Sequence, residues 1–257
     1  YPILYSDKNL EKDDSMENET FAKTAAVADY DAGLRSYFMR VYNYMAGGLC
    51  ASALAAFVVI NTPLLRLFYN FAPNGYPTGL SAFGWLAFIA PLIMVIALGS
   101  VVNRGTAKQV QAMFWGFSAI MGISLSPVLL AYTGSSVTRI FLVTAATFGG
   151  MSIYGYTTKR DLSGMGSFMI MGLWGVIIAS IVNIFMKSSG LDFALSILSV
   201  VIFTGLTAYD TQKIRTIYNG ADSNDVMTKK AIVGALELYL DFINMFMALL
   251  RLFGDRR

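Results

Sequence analysis

The feature that most constrains this chain is the spacing of its apolar runs. A segment that crosses the hydrocarbon core of a bilayer needs about 20 mostly apolar residues. Seven stretches qualify: Tyr37 to Ile60, Leu80 to Val102, Val110 to Ala131, Val137 to Tyr156, Ser167 to Met186, Leu191 to Tyr209 and Lys230 to Phe253. Charged residues are 14% of the chain and gather in the first forty positions and in the short connections. A soluble domain of this size carries about a quarter, because its whole surface must be wetted. The reading is an all-α polytopic membrane protein, one bundle of seven spans over residues 35–257 with no second domain. Only the connections 61–79 and 211–229 are long.

Residues 1–40 hold eight acids and five bases without a periodic apolar face, so residues 1–34 read as a disordered acidic tail. The chain opens at Tyr1, and Met16-Glu17-Asn18-Glu19 reads as a natural start, with residues 1–15 a leader or an appended remnant. Orientation follows from lysine and arginine in short loops. Arg104, Lys108, Lys159, Arg160, Lys213, Arg215, Lys229 and Lys230 fall on one side, and Arg66, Arg139 and Lys187 on the other. The first set is expected to face the cytoplasm, together with the amino terminus. Arg251, Arg256 and Arg257 oppose this if the seventh run crosses fully, as it is expected to do.

The absence of histidine removes Ser-His-Asp and Cys-His catalysis and histidine-ligated zinc or haem. It also removes the imidazole pH switch. The lone Cys50 excludes an intramolecular disulfide and reads as packing. No phosphate-binding glycine loop, nucleotide signature or metal spacing occurs, so neither an enzyme nor a bound cofactor is expected, nor a nucleic-acid partner. Gly116 with Gly122 and Gly172 with Gly175 are spaced for close helix approach. Pro91 and Pro127 should kink their spans, with Ser124 and Ser126 placed to bond freed carbonyls. Tyr69, Tyr132, Tyr156 and Tyr218 suit an interfacial belt.

No acid lies between Asp31 and Asp161, so Asp210, Glu237 and Asp241 stand out in the last two runs. A charge at bilayer depth costs about 2.5–3.5 kcal/mol on insertion scales unless it is paired, which makes such residues functional candidates. Counted along ideal helices from Tyr218 and Lys230, Asp210 lies about 12 Å in, Glu237 about 10 Å and Asp241 about 16 Å. Glu237 and Asp241 are four apart and share one helix face. If that face meets the sixth span, the crowded carboxylates cannot all ionise, and the cluster becomes a proton-sensitive element without histidine. Arg104, closing the second span at the same end, is the expected charge partner. Tyr209-Asp210 resembles half of the intramembrane aspartyl protease signature, but Asp241 follows Leu238-Tyr239-Leu240 where that signature needs Gly-x-Gly.

At these residues the chain resembles the Bax inhibitor-1 family, also called the transmembrane Bax inhibitor motif or YccA-type family. The resemblance rests on Gly205-Leu206-Thr207-Ala208-Tyr209-Asp210-Thr211-Gln212 and Leu238-Tyr239-Leu240-Asp241-Phe242-Ile243-Asn244, then Leu249-Leu250-Arg251-Leu252-Phe253-Gly254. Gly122-Ile123-Ser124-Leu125-Ser126-Pro127 and Asn183-Ile184-Phe185 support it, and Tyr30-Asp31-Ala32-Gly33-Leu34-Arg35 resembles the bacterial branch. The resemblance implies a seven-helix bundle around a central helix and a pH-sensitive calcium leak governed by an aspartate pair. Asp210 and Asp241 match that pair, with Glu237 beside them, and Arg104 matches an arginine that latches the closed state. It implies that protonating the pair releases the latch, with calcium a weakly held, transported ion. Some relatives carry an acid inside the second span, where this chain reads Pro91-Leu92-Ile93-Met94. The resemblance implies a bacterial inner membrane and, as a second role, non-catalytic regulation of a membrane-bound ATP-dependent protease, for which residues 16–34 would be the docking segment.

Overall fold

A computed structural model describes the backbone of residues 7–72 and 77–257, with side chains from Tyr30 onward apart from residues 73–77. Helix α1 (Asp7–Asn61) leads through a short α2 (Leu65–Phe68) to a hairpin of β1 (Tyr69–Phe71) and β2 (Pro77–Leu80), which pair antiparallel. Six long helices follow: α3 (Ala82–Arg104), α4 (Ala107–Ala131), α5 (Gly134–Thr157), α6 (Ser163–Met186), α7 (Ser189–Thr216) and α8 (Asn224–Phe253). Seven helices, α1 from Tyr30 and α3 to α8, are long and apolar enough to cross a membrane. The protein is a seven-transmembrane-helix bundle.

The helices start where hydroxyl side chains can satisfy their free amides. Ser81, Thr106, Thr133, Ser188 and Ser223 each accept from a backbone N–H three residues on, and Thr106 with Gln109 closes a capping box. Before α6, Asp161 Oδ1 accepts from Ser163 N at 2.9 Å. The Ser163 hydroxyl and amide together hold the exposed Asp161 carboxyl below the usual carboxylate range.

Two expectations about the ends change. The segment read as a disordered tail is helical from Asp7, while residues 1–6 lie outside the described residues. Between Asp7 and Ala32 there is neither glycine nor proline, and alanine, glutamate, lysine and methionine are good helix formers. The last two spans also outrun their apolar cores, α7 reaching Thr216 and α8 starting at Asn224, because helical bonding continues where charged side chains are wet.

At 30 residues, α8 is about 45 Å long and crosses fully. Its end is tied to the α4–α5 turn, where Arg257 N donates to Ala131 O and Thr133 N to Asp255 O, both at 3.0 Å. Arg139 pairs with Asp255 at 3.1 Å and the Arg256 guanidinium stacks over Tyr132. The terminal arginines therefore sit opposite the end that carries Arg104, Lys108, Lys159 and Arg160, hereafter the basic end. Among them, the Arg256 guanidinium is partnered by the Tyr132 ring.

In packing, α1, α3 and α4 form one group and α5, α6 and α7 another, and α8 is packed by both. It is the central helix: 72% of its most apolar stretch is buried, against 6–44% in the other spans. Close approach is made by Gly122, whose missing side chain admits the Ser52 carbonyl of α1, and by Gly155, which admits that of Ala208 on α7. Gly122 was expected in this role. Gly116 and Gly175 were too, but only one methionine methyl nears Gly116 and Gly175 faces open space. The carbonyl of Ile123, which Pro127 cannot serve, accepts from Ser126 Oγ at 2.7 Å, so α4 continues through its proline. Tyr69, Tyr132 and Tyr218 are buried rather than interfacial, since neighbouring elements cover their rings, whereas Cys50 is exposed on the outer face of α1.

Candidate functional site

The site lies where α7 packs along α8. Asp210 on α7 and Asp241 on α8 come together across that interface. Asp241 is buried at 4% exposure and Asp210 is half-buried. Among the described residues no hydroxyl, amide or cation donates to Asp241 Oδ2.

Glu237, one turn before Asp241 on the same face, completes the expected cluster and is occupied. Lys213 Nζ meets Glu237 Oε1 at 2.6 Å, with both side chains partly exposed. Lys213 stands three residues after Asp210, on the same face of α7, and both Glu237 and Lys213 act electrostatically on Asp210. The site is thus three carboxyl groups and one ammonium, with the aspartate pair at its buried side and the ion pair toward the basic end.

Arg104 does not join it. It ends α3 in an exposed position and makes no ion pair among the described residues, because α3 packs on α4 and the hairpin rather than along α7 or α8. The cation next to the pair is Lys213, assigned in the sequence reading only to a loop. The signal was present: its i+3 spacing from Asp210. For a resident metal the arrangement is poor. Among the described residues no group of three or more acids or cysteines could hold an ion, since Lys213 occupies Glu237. Asp210 and Asp241 are left without the oxygen cage that calcium prefers.

The surrounding motif residues hold the helices. Gln212 clamps the α5–α6 connection, accepting from Leu162 N and donating to Arg160 O, each at 2.8 Å. Tyr239 OH and Ser52 Oγ bond at 2.6 Å, and Ser52 also reaches Ser118 O at 2.6 Å, which locks α8 to α1 and α4. Asn183 Oδ1 accepts from Ser188 N at 3.0 Å and shapes the α6–α7 turn.

A buried carboxyl pair on two packed helices, framed by these bonds, is the arrangement the motifs require. A family model described as "Inhibitor of apoptosis-promoting Bax1" matches residues 34–257. The chain belongs to the Bax inhibitor-1 family. Among its relatives, the Rickettsia prowazekii protein RP147 is 42% identical over 93% of this chain and 98% of its own length. The Escherichia coli inner membrane protein YbhL is 40% identical over 93% of this chain and all of its own. A Caulobacter vibrioides protein is 42% identical over 88% of this chain and 91% of its own. In this Bax inhibitor-1 family member the motif residues thus divide in two: Asp210 and Asp241 face each other, while Gln212, Tyr239 and Asn183 set the frame around them.

Proposed function

We propose that the protein is a passive cation leak, with calcium as its cargo, whose opening follows the proton count of the Asp210–Asp241 pair. The observation that supports this reading is the placing of Asp210 beside the buried Asp241 in the α7–α8 interface. Two full negative charges about 4 Å apart repel by about 4 kcal/mol at an effective dielectric of about 20. Moving a two-state equilibrium from 1:99 to 99:1 takes about 5.5 kcal/mol. A change of one proton on the pair is thus of the size needed to shift a closed–open equilibrium, protonation releasing the basic latch. Lys213 takes the part that the resemblance assigned to Arg104: it balances the cluster's charge, and its hold on Glu237 changes when the pair gains or loses a proton. In this reading the cation is cargo, passing carboxylates that hold it briefly.

The basic end and the amino terminus face the cytoplasm in this proposal, since eight of the lysines and arginines in the connections and helix ends lie there. The membrane is a bacterial inner membrane, as for YbhL. The test is calcium flux against pH in liposomes, wild type beside Asp210→Asn. The substitution keeps the shape but removes one titrating carboxyl, so the flux should change in rate and lose most of its pH dependence. Wild-type flux at every pH would sink the mechanism.

A further inference from the structure

At the basic end, away from the carboxyl pair, α1, α4 and α8 enclose an open cavity of about 770 Å³. Two cations line it, Arg40 on α1 and Lys108 in the first turn of α4, together with the amide of Asn43 and the hydroxyl of Ser36. No acid is among its described lining residues. Arg40 is held in place by α8: its Nη1 donates to Asn224 Oδ1 at 3.1 Å and to Thr228 Oγ1 at 3.0 Å. Those bonds involve one nitrogen, and the rest of the guanidinium fork is available to a ligand. Lys108 is exposed and makes no hydrogen bond or ion pair among the described residues. Asp225, next to the lining residue Asn224, is engaged elsewhere, accepting from Ala107 N at 2.9 Å and pairing with Lys229 at 3.4 Å. Both cations therefore line the cavity with no carboxylate paired to them among the described residues.

The deeper wall is aromatic. Tyr44 and Trp115 lie with ring centroids 6.3 Å apart. Trp115 follows Lys108 by seven residues, so the lining passes from charged to aromatic over about 10 Å of helix. The interfacial layer of a bilayer leaflet is about 5–8 Å deep. That gradient, phosphate-seeking cations above amphipathic rings, matches a phospholipid standing in its leaflet.

We propose that this cavity binds the phosphate headgroup of an anionic phospholipid. Arg40 takes the phosphate through its free fork, Lys108 adds the second charge, and Asn43 and Ser36 bond the headgroup's polar substituent. The glycerol and upper chains lie along Tyr44 and Trp115. The bound lipid lies over the contact between α1 and α8 made by Arg40, Asn224 and Thr228 and adds to the hold between those helices. The site stands independently of the leak proposed above.

The test is native mass spectrometry of the full chain from nanodiscs of phosphatidylcholine carrying increasing phosphatidylglycerol. Wild type should retain phosphatidylglycerol over phosphatidylcholine by about tenfold. Arg40→Gln with Lys108→Gln should lose that preference, while Lys159→Gln with Arg160→Gln, at the same end but outside the cavity, should keep it. Equal loss in both pairs would mean general surface attraction, and no loss in the cavity pair would mean another site; either overturns the proposal. Inorganic phosphate at millimolar level forms a separate arm: if it displaces the lipid completely, the site is one for free anions and the lipid assignment fails. Should the double variant unfold, Lys108→Gln alone suffices, since Lys108 has no internal bond to lose and must still weaken retention severalfold.

Discussion

Helices α6 and α8 are both long enough to span a bilayer, and they lead opposite lives. The most apolar stretch of α6 has a mean hydropathy of 2.2 and is 6% buried; that of α8 scores 1.6 and is 72% buried. In a soluble protein the more apolar helix takes the middle. Here the solvent is lipid, so apolar character suits the outside, and the centre goes to the helix whose polar groups need protein partners. Tyr239, Asp241 and Glu237 on α8 find Ser52, Asp210 and Lys213. On α6, by contrast, Trp174, Ile178, Ile184 and Phe185 point outward.

The comparison would break first in stability. Tyr239→Ala removes a fully buried ring and its bond to Ser52, and should cost about 3–5 kcal/mol of unfolding free energy in nanodiscs. Phe185→Ala on α6, at 82% exposure, should stay within about 0.5 kcal/mol of wild type. Equal losses at the two positions would mean that the burial contrast has no energetic content. A smaller effect sharpens the electrostatic side. Lys213→Gln frees Glu237 and takes a positive charge from the pair's surroundings, so the carboxyls hold their proton more firmly. The midpoint of the pH response of calcium flux should rise by about one unit, worth about 1.4 kcal/mol. The same measurement on Arg104→Gln should show no shift, and a shift there in place of Lys213 would restore the arginine latch. The smallest effect lies at the end of α6, where Lys187 closes the helix in the left-handed region with φ 51°. Lys187→Gly should gain up to about 1 kcal/mol, read as a higher unfolding temperature.

How much of this was legible in the sequence follows the same division. Spans were readable because apolar length is a local property, and all seven runs became helices. The aspartates were readable because a carboxylate between apolar residues is costly enough to need a reason, and helical spacing placed Glu237 and Asp241 on one face. What the sequence concealed were choices between distant partners. Arg104 and Lys213 look alike as basic residues near the same end, and only the packing of α3 on α4 removes the first while the α7–α8 contact selects the second. Gly155 was missed for the same reason: nothing nearby announces that Ala208 will press against it. The helical reach of α1 to Asp7 was missed because acidic composition was weighed above the unbroken run of helix formers.

The helix at the centre of the molecule is also synthesised after the six other spans that pack around it. Until α8 emerges, the two three-helix groups that it joins lack their chief mutual contact, and Asp210 waits in the membrane without its counterpart. Newly inserted chain must stay parted long enough to admit a helix that carries Glu237 and Asp241 in its apolar stretch, and the turn at Asp255 and Arg257 fastens only after that. Any ribosomal product ending before Asn224 would therefore lack the helix on which both groups pack.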